Sequence, residues 1–256
     1  MDSTTTSTTK RATRILAAVA AGGAATVALA GCGLVDRLGP PQSFSDDATV
    51  TERVTEIEID EPAGSVTIEA TRSATDITLE RTVRYWGIDR DIDETHEVTG
   101  GTLVLHGCGR NCTVSYVLEV PEGLDVSGRT SNGAIELTGV ADVDVATSNG
   151  RIELDDVTGS VEVETSNGRI IGNDLTGDGV DASTSNGPIE IELGTPQDVT
   201  ARTSNGPIEL RVPGGPYAVE TDTSNGRVDV DIATDPDGEF TLDLRTSNGS
   251  IDVTES

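Results

Sequence analysis

Cys108 and Cys112 flank Gly109-Arg110-Asn111, with His106 just before them and His96 further upstream. These residue types can close a disulfide or hold a zinc ion. In an exported chain a pair at this spacing defaults to a disulfide. Across an antiparallel pair of strands, cysteines flanking so short a loop come within bridging range. The alternative recruits His106 and His96 as zinc ligands, at a spacing that is not that of a standard finger. The sequence has two histidines in all. It has no Gly-x-Ser-x-Gly elbow, no His-Glu-x-x-His pair and no phosphate-binding loop. Asp235-Pro236-Asp237-Gly238-Glu239 loosely follows a calcium loop, but its ligand run is incomplete and it reads as a polar turn. No catalytic residue, cofactor or metal ligand set is expected.

Carboxylates offer the other possible chemistry. Glu136, Glu153, Glu190, Glu209, Asp229 and Asp252 each stand one residue past an aliphatic that follows an Asn-Gly; Ile171 holds that place once. Stacked one strand spacing apart, they would form an acidic stripe able to bind a cation or a cationic partner. Neighbouring unit charges about 4.8 Å apart repel by about 0.9 kcal/mol in bulk water. Arg151, Arg169 and Arg227 lie beside the stripe and can relieve it. A solvated acidic face is the plainer reading. Glycoside hydrolysis needs two carboxylates set across a cleft, which a regular ladder does not offer.

The element that would position this stripe is a repeat. Thr-Ser-Asn-Gly begins at Thr130, Thr147, Thr165, Thr184, Thr203, Thr223 and Thr246. A recurring unit of about twenty residues marks a solenoid or array. The repeat turns are Asn132-Gly133, Asn149-Gly150, Asn167-Gly168, Asn186-Gly187, Asn205-Gly206, Asn225-Gly226 and Asn248-Gly249. Each is preceded by an alternating strand such as Val143/Val145 or Val161/Val163, and most are followed by another such as Ile152/Leu154 or Ile208/Leu210.

Asn-Gly between alternating strands is also a strong hairpin signal, so a meander competes with stacked coils. A meander has no need of one identical tetrapeptide at every turn. Stacked coils do, because asparagines one rung apart can hydrogen-bond in a ladder. The parity of inward residues also shifts at each Asn-Gly, odd at Val143 and Val145 and even at Ile152 and Leu154. An extra corner residue, with glycine taking a positive φ, would turn the chain and keep aliphatics inward. The expected fold is therefore all-β: a parallel β-solenoid, or single-chain β-helix, with about two strands per coil. The six aromatics, Phe44, Tyr85, Trp86, Tyr116, Tyr217 and Phe240, suit a narrow Val/Ile/Leu core and give no stacking platform for sugars or bases.

Ahead of the repeats, Ile57/Ile59 and Val66/Ile68 flank Pro62-Ala63-Gly64 as a degenerate unit of the same kind. Residues 48–124 read as an N-terminal β region with an irregular cap, and 125–256 as the repeat solenoid. The first 31 residues form an export signal: Lys10, Arg11 and Arg14, then an uncharged apolar run that is short for a span, ending Leu29-Ala30-Gly31. That ending before Cys32 resembles a prokaryotic lipoprotein signal, which implies a lipidated Cys32. Residues 32–47 would be a tether. The expected place is the cell surface, anchored to the outer face of the cytoplasmic membrane.

The formal net charge is −28, and Lys10 is the only lysine. Such a surface repels nucleic acid. Alternating aliphatic runs argue against a disordered acidic chain. Adaptation to concentrated salt, as in a haloarchaeal-type lipoprotein, explains the acidity, because the Debye length falls to about 3 Å at 1 M.

Ile57 to Ile68, then Tyr116-Val117-Leu118-Glu119-Val120-Pro121-Glu122-Gly123, then the Ser-Asn-Gly repeats, resemble a prokaryotic family of adhesin-type β-strand-repeat domains of unknown function. The resemblance covers roughly residues 44–256 and implies a parallel β-solenoid without catalytic residues. The function expected is a lipid-anchored structural or adhesive surface module whose partner is a surface protein or polysaccharide. The alternatives are a polysaccharide-active β-helix enzyme and a divalent-cation-binding envelope protein. Because Ile251-Asp252-Val253 stands last, it is expected to be an uncapped final rung, open to end-to-end self-association or a docked strand at high salt.

Overall fold

The structure is a computed structural model and describes residues 41–61, 63–87 and 91–256. Cys32 with its lipidation, the export signal and tether residues 32–40 lie outside the described residues. The described residues contain strands and turns and no helix.

Two sheets face each other, one of eleven strands and one of ten. Among the described residues, nine coils each give one strand to either sheet. In chain order they are β2 (Glu56–Glu61) with β3 (Val66–Thr71), β6 (Thr102–His106) with β7 (Cys112–Pro121), β8 (Asp125–Thr130) with β9 (Ile135–Thr138), and β10 (Val143–Thr147) with β11 (Ile152–Asp155). Then follow β12 (Val161–Asn167) with β13 (Ile170–Leu175), β14 (Val180–Asn186) with β15 (Ile189–Leu193), and β16 (Val199–Asn205) with β17 (Ile208–Val212). The last two are β18 (Tyr217–Asn225) with β19 (Val228–Asp231), and β20 (Phe240–Asn248) with β21 (Ile251–Glu255). Coil pairs with coil in parallel and in register, Val143 beside Val161 and Ile152 beside Ile170. The hairpin meander is thereby excluded.

Alternation explains why parallel sheets can face water here. Ile135, Ile152, Ile170, Ile189 and Ile208 point inward and are at most 1% exposed, while the carboxylates between them point out. Parallel sheets elsewhere are usually covered on both faces. In this chain the outward residues are predominantly polar or charged, so the outer face needs no cover.

The coils do not stack in chain order. At one end β2/β3 lies between β6/β7 and β8/β9. At the other, β20/β21 lies between β16/β17 and β18/β19. The expectation of an open final rung at Ile251-Asp252-Val253 is therefore corrected. Ile251 and Val253 are 0% exposed, with β17 on one side and β19 on the other. The open rung is the preceding one, β18/β19. The return segment 232–239 between β19 and β20 is long enough to step back one rung and place the last coil inside.

Two further expectations change. Residues 41–47, read as tether, form most of β1 (Pro41–Val50), which zips antiparallel along β4 (Ile77–Trp86). The region 48–124 is more regular than an irregular cap, since it supplies two full coils. The cap proper is β1, β4 and β5 (His96–Thr99), all joined antiparallel. Arg81, 6% exposed, locks it. Its Nε and Nη2 donate to Asp46 at 2.5 and 2.7 Å, and Nη1 donates to the Asp93 carbonyl and Thr95 Oγ1. The buried Tyr116 hydroxyl ties Thr95 to the His106 carbonyl, at 2.6 Å from the latter. The hydrogen bond from Arg81, reinforced by its charge against the cost of burial, holds the Asp46 carboxyl below its ordinary value.

Candidate functional site

The Thr-Ser-Asn-Gly corner is built from contacts between rungs. Each threonine points inward and donates its hydroxyl to the glycine carbonyl of the adjacent rung: Thr147 to Gly133, Thr165 to Gly150 and Thr184 to Gly168, at 3.1 to 3.2 Å. Each asparagine amide donates to the next asparagine's Oδ1. The ladder runs Asn225, Asn248, Asn205, Asn186, Asn167, Asn149, Asn132 without a break, at 3.0 to 3.1 Å. The serines and asparagines are predominantly exposed, so the corner shows solvent a row of hydroxyls and oriented amides.

Glycine serves a different purpose from the one expected. None of Gly133, Gly150, Gly168, Gly187, Gly206, Gly226 and Gly249 is among the positive-φ residues. A methyl group on Gly168 would lie 1.8 Å from the Gly150 oxygen, and one on Gly187 would lie 1.9 Å from the Gly168 oxygen. The corners stack so closely that no side chain fits.

On the outer face of the eleven-stranded sheet the register aligns Val117, Thr67, Glu136, Glu153, Ile171, Glu190, Glu209, Asp252 and Asp229 in one row. Asp252 precedes Asp229 because of the inserted coil. Arg151 pairs with Glu136 and lies 3.3 Å from Glu153; Arg169 lies 3.6 Å from Glu190. Arg227 reaches Asp252 at 3.2 Å and Asp229 at 4.0 Å. Arg211 adds a pair with Glu192 in the neighbouring row, at 3.3 Å. The stripe is thus a mixed ladder of carboxylates and guanidiniums. A hollow of about 340 Å³ opens on this face beside Glu190, Glu209 and Asp252.

Cys108 and Cys112 are joined, with Cα atoms 5.6 Å apart. The geometry differs from the expected antiparallel hairpin. The bridged segment turns from β6 in one sheet to β7 in the other, the corner that Thr-Ser-Asn-Gly fills in later coils. His106 faces out beside Asp60 and Glu97, at 3.5 and 3.3 Å. His96 stands opposite the inward Leu105, so the two rings lie on opposite faces and cannot share a metal. Among the described residues no three histidines, cysteines or carboxylates converge to hold a metal ion. The Asp235 carboxylate accepts from the Asp237 amide at 3.0 Å, as a polar turn does.

Sequence reasoning missed one feature. A hollow of about 680 Å³ crosses five rungs, lined by Asp60, His106, Arg129, Ser131, Ser148 and Glu164. Its floor is Ala146, between Arg129 and Glu164 in the outward row. A small outward residue amid long charged ones was the available signal. The arrangement sets charged and hydroxyl groups along one face of the stack.

The family model described as Toastrack DUF4097 matches residues 54–255. No protein of curated function matches the chain. A candidate adhesin from Parabacteroides distasonis is similar at 14% identity, covering 85% of this chain and 98% of its own, with a TM-score of 0.48. A candidate adhesin from Parabacteroides merdae is similar at 12% identity, with 85% and 98% covered and a TM-score of 0.44.

Proposed function

Because the chain belongs to the Toastrack DUF4097 family, a β-solenoid fold, we propose that it is a non-catalytic adhesive or structural module of the cell surface, held to the membrane by lipid on Cys32. One observation carries the reading: the outward rows stay in register across the stack, so each face sets side chains, most of them polar or charged, at rung spacing. A rigid repetitive face suits an extended partner, a surface protein or a polysaccharide, and suits a small enclosed substrate poorly. The Leu29-Ala30-Gly31-Cys32 ending supports export and anchoring.

The test is retention. Immobilised full-length chain is exposed to surface polysaccharides and membrane-extract proteins, with released reducing ends followed in parallel. The expected result is a retained polymer or protein and no release. Release of reducing ends would replace the reading with the polysaccharide-active enzyme.

A further inference from the structure

The open rung is β18/β19. Past the buried Tyr217, its inward positions carry Val219, Thr221, Thr223, Val228 and Val230, none of them buried, and Val228 is 41% exposed. The matching residues one coil inward, Leu242, Leu244, Ile251 and Val253, are all 0% exposed. Thr221 stands where the next coil has Leu244, a partial concession to water.

The chain itself begins to cover this edge and stops. Thr234 forms a parallel bridge with Tyr217, fixed by Tyr217 N–H to the Ala233 carbonyl at 3.2 Å and Asp235 N–H to the Tyr217 carbonyl at 2.9 Å. The next residue is Pro236, which has no N–H to continue the ladder. Beyond it the outer edge of β18 runs on from Val219 to Asn225. A hollow of about 610 Å³ lies here, lined by Val219, Thr221, Val230, Asp235 and Pro236 among others. Strand direction and register are thus already set by the chain's own segment.

Charge selects the occupant. Glu220, Asp222, Asp229, Asp231, Asp235, Asp237 and Glu239 surround the edge, against Arg227 in the same stretch and Arg245 of β20, which lies 3.6 Å from Glu220 and beside Asp222, so the acidic excess remains large. A second copy docked end to end would bring two such sets together. A strand carrying lysine or arginine at alternate positions would pair with Glu220 and Asp222 and lay its apolar residues over Val219 and Val230.

We propose that the outer edge of β18 is a docking site for a basic, extended segment of a partner protein, which adds to the solenoid as one more strand parallel to β18. This rests on the adhesive reading and names its partner chemistry.

The test uses full-length chain in detergent micelles and three labelled peptides: alternating Val-Lys, alternating Val-Glu, and Val-Lys with proline at alternate positions. Binding is followed by fluorescence anisotropy at about 0.15 M salt, with fold monitored by circular dichroism. The Val-Lys peptide is expected to bind about tenfold or more tightly than either of the others. The exposed double variant Glu220→Lys/Asp222→Lys is expected to lose that preference with an unchanged spectrum. Equal binding of the proline peptide would reduce the contact to bulk charge and overturn the strand site. So would binding that the double variant leaves unaltered. Wild-type chain that dimerises through this edge in sedimentation, and is made monomeric by the double variant, would assign the edge to a second copy instead. Failure of every peptide arm while the immobilised chain still retains a polymer or protein would remove this site and leave the adhesive reading standing.

Discussion

At Gly168 an added methyl would sit 1.8 Å from the Gly150 carbonyl oxygen, on backbone that cannot retreat without breaking the stack. Gly168→Ala is therefore expected to cost about 3 kcal/mol in denaturant unfolding, although the backbone there is available to any residue. A loss below about 0.5 kcal/mol would show that the corners are not in contact. Thr165, 1% exposed, donates to the Gly150 carbonyl at 3.1 Å. Thr165→Val keeps shape and removes the donor, so about 1–3 kcal/mol should be lost, more than for the exposed Asn167→Ala at about 1 kcal/mol. Asp46 gives a pH-dependent case. Its folded pKa lies below the ordinary value, so its contribution is fully present above about pH 4 and is lost as pH falls through the folded pKa. Asp46→Asn should be less stable than wild type at neutral pH, and the gap should narrow steadily in acid. A gap independent of pH would mean that Arg81 does not act on an ionised Asp46.

The element scale shows what was legible in sequence and what was not. The coil was legible, because inward aliphatics alternate on both sides of each Asn-Gly and their parity shifts there. So was the row of carboxylates, which follows once one register is known. The glycine's purpose was misassigned: a positive φ and a close approach leave the same residue in the sequence, and only the stacked neighbour separates them. The stacking order was hidden for a similar reason. Every repeat rung from β8 onward offers the same Thr-Ser-Asn-Gly edge to either neighbour, so local pattern cannot say whether β20 meets β16 or β18. The exchange is visible only as detail, in the longer return segment 232–239 and in Thr221 and Val228 at positions that other coils fill with larger or better-buried residues.

At the scale of the whole molecule, the chain doubles back at both ends of the stack, so the first and last coils lie second from the outside. Contacts between β2 and β8, or β16 and β20, span long stretches of chain, so growth by adding coils in chain order cannot complete either end. The same stack carries its acidity in rows one rung apart, only partly bridged by arginine. Screening those rows should raise the melting temperature as salt goes from dilute to molar. A flat or falling curve would mean that the arginine pairs already offset the repulsion. The central structural claim is that the penultimate coil, and not the last, forms the open end that a partner meets. Amide hydrogen exchange resolved by segment tests it most directly. The account predicts that β20 and β21 exchange as slowly as β16 and β17, while β18 and β19 exchange first. Fast exchange in β21 with protection of β18 and β19 would contradict it and restore stacking in chain order.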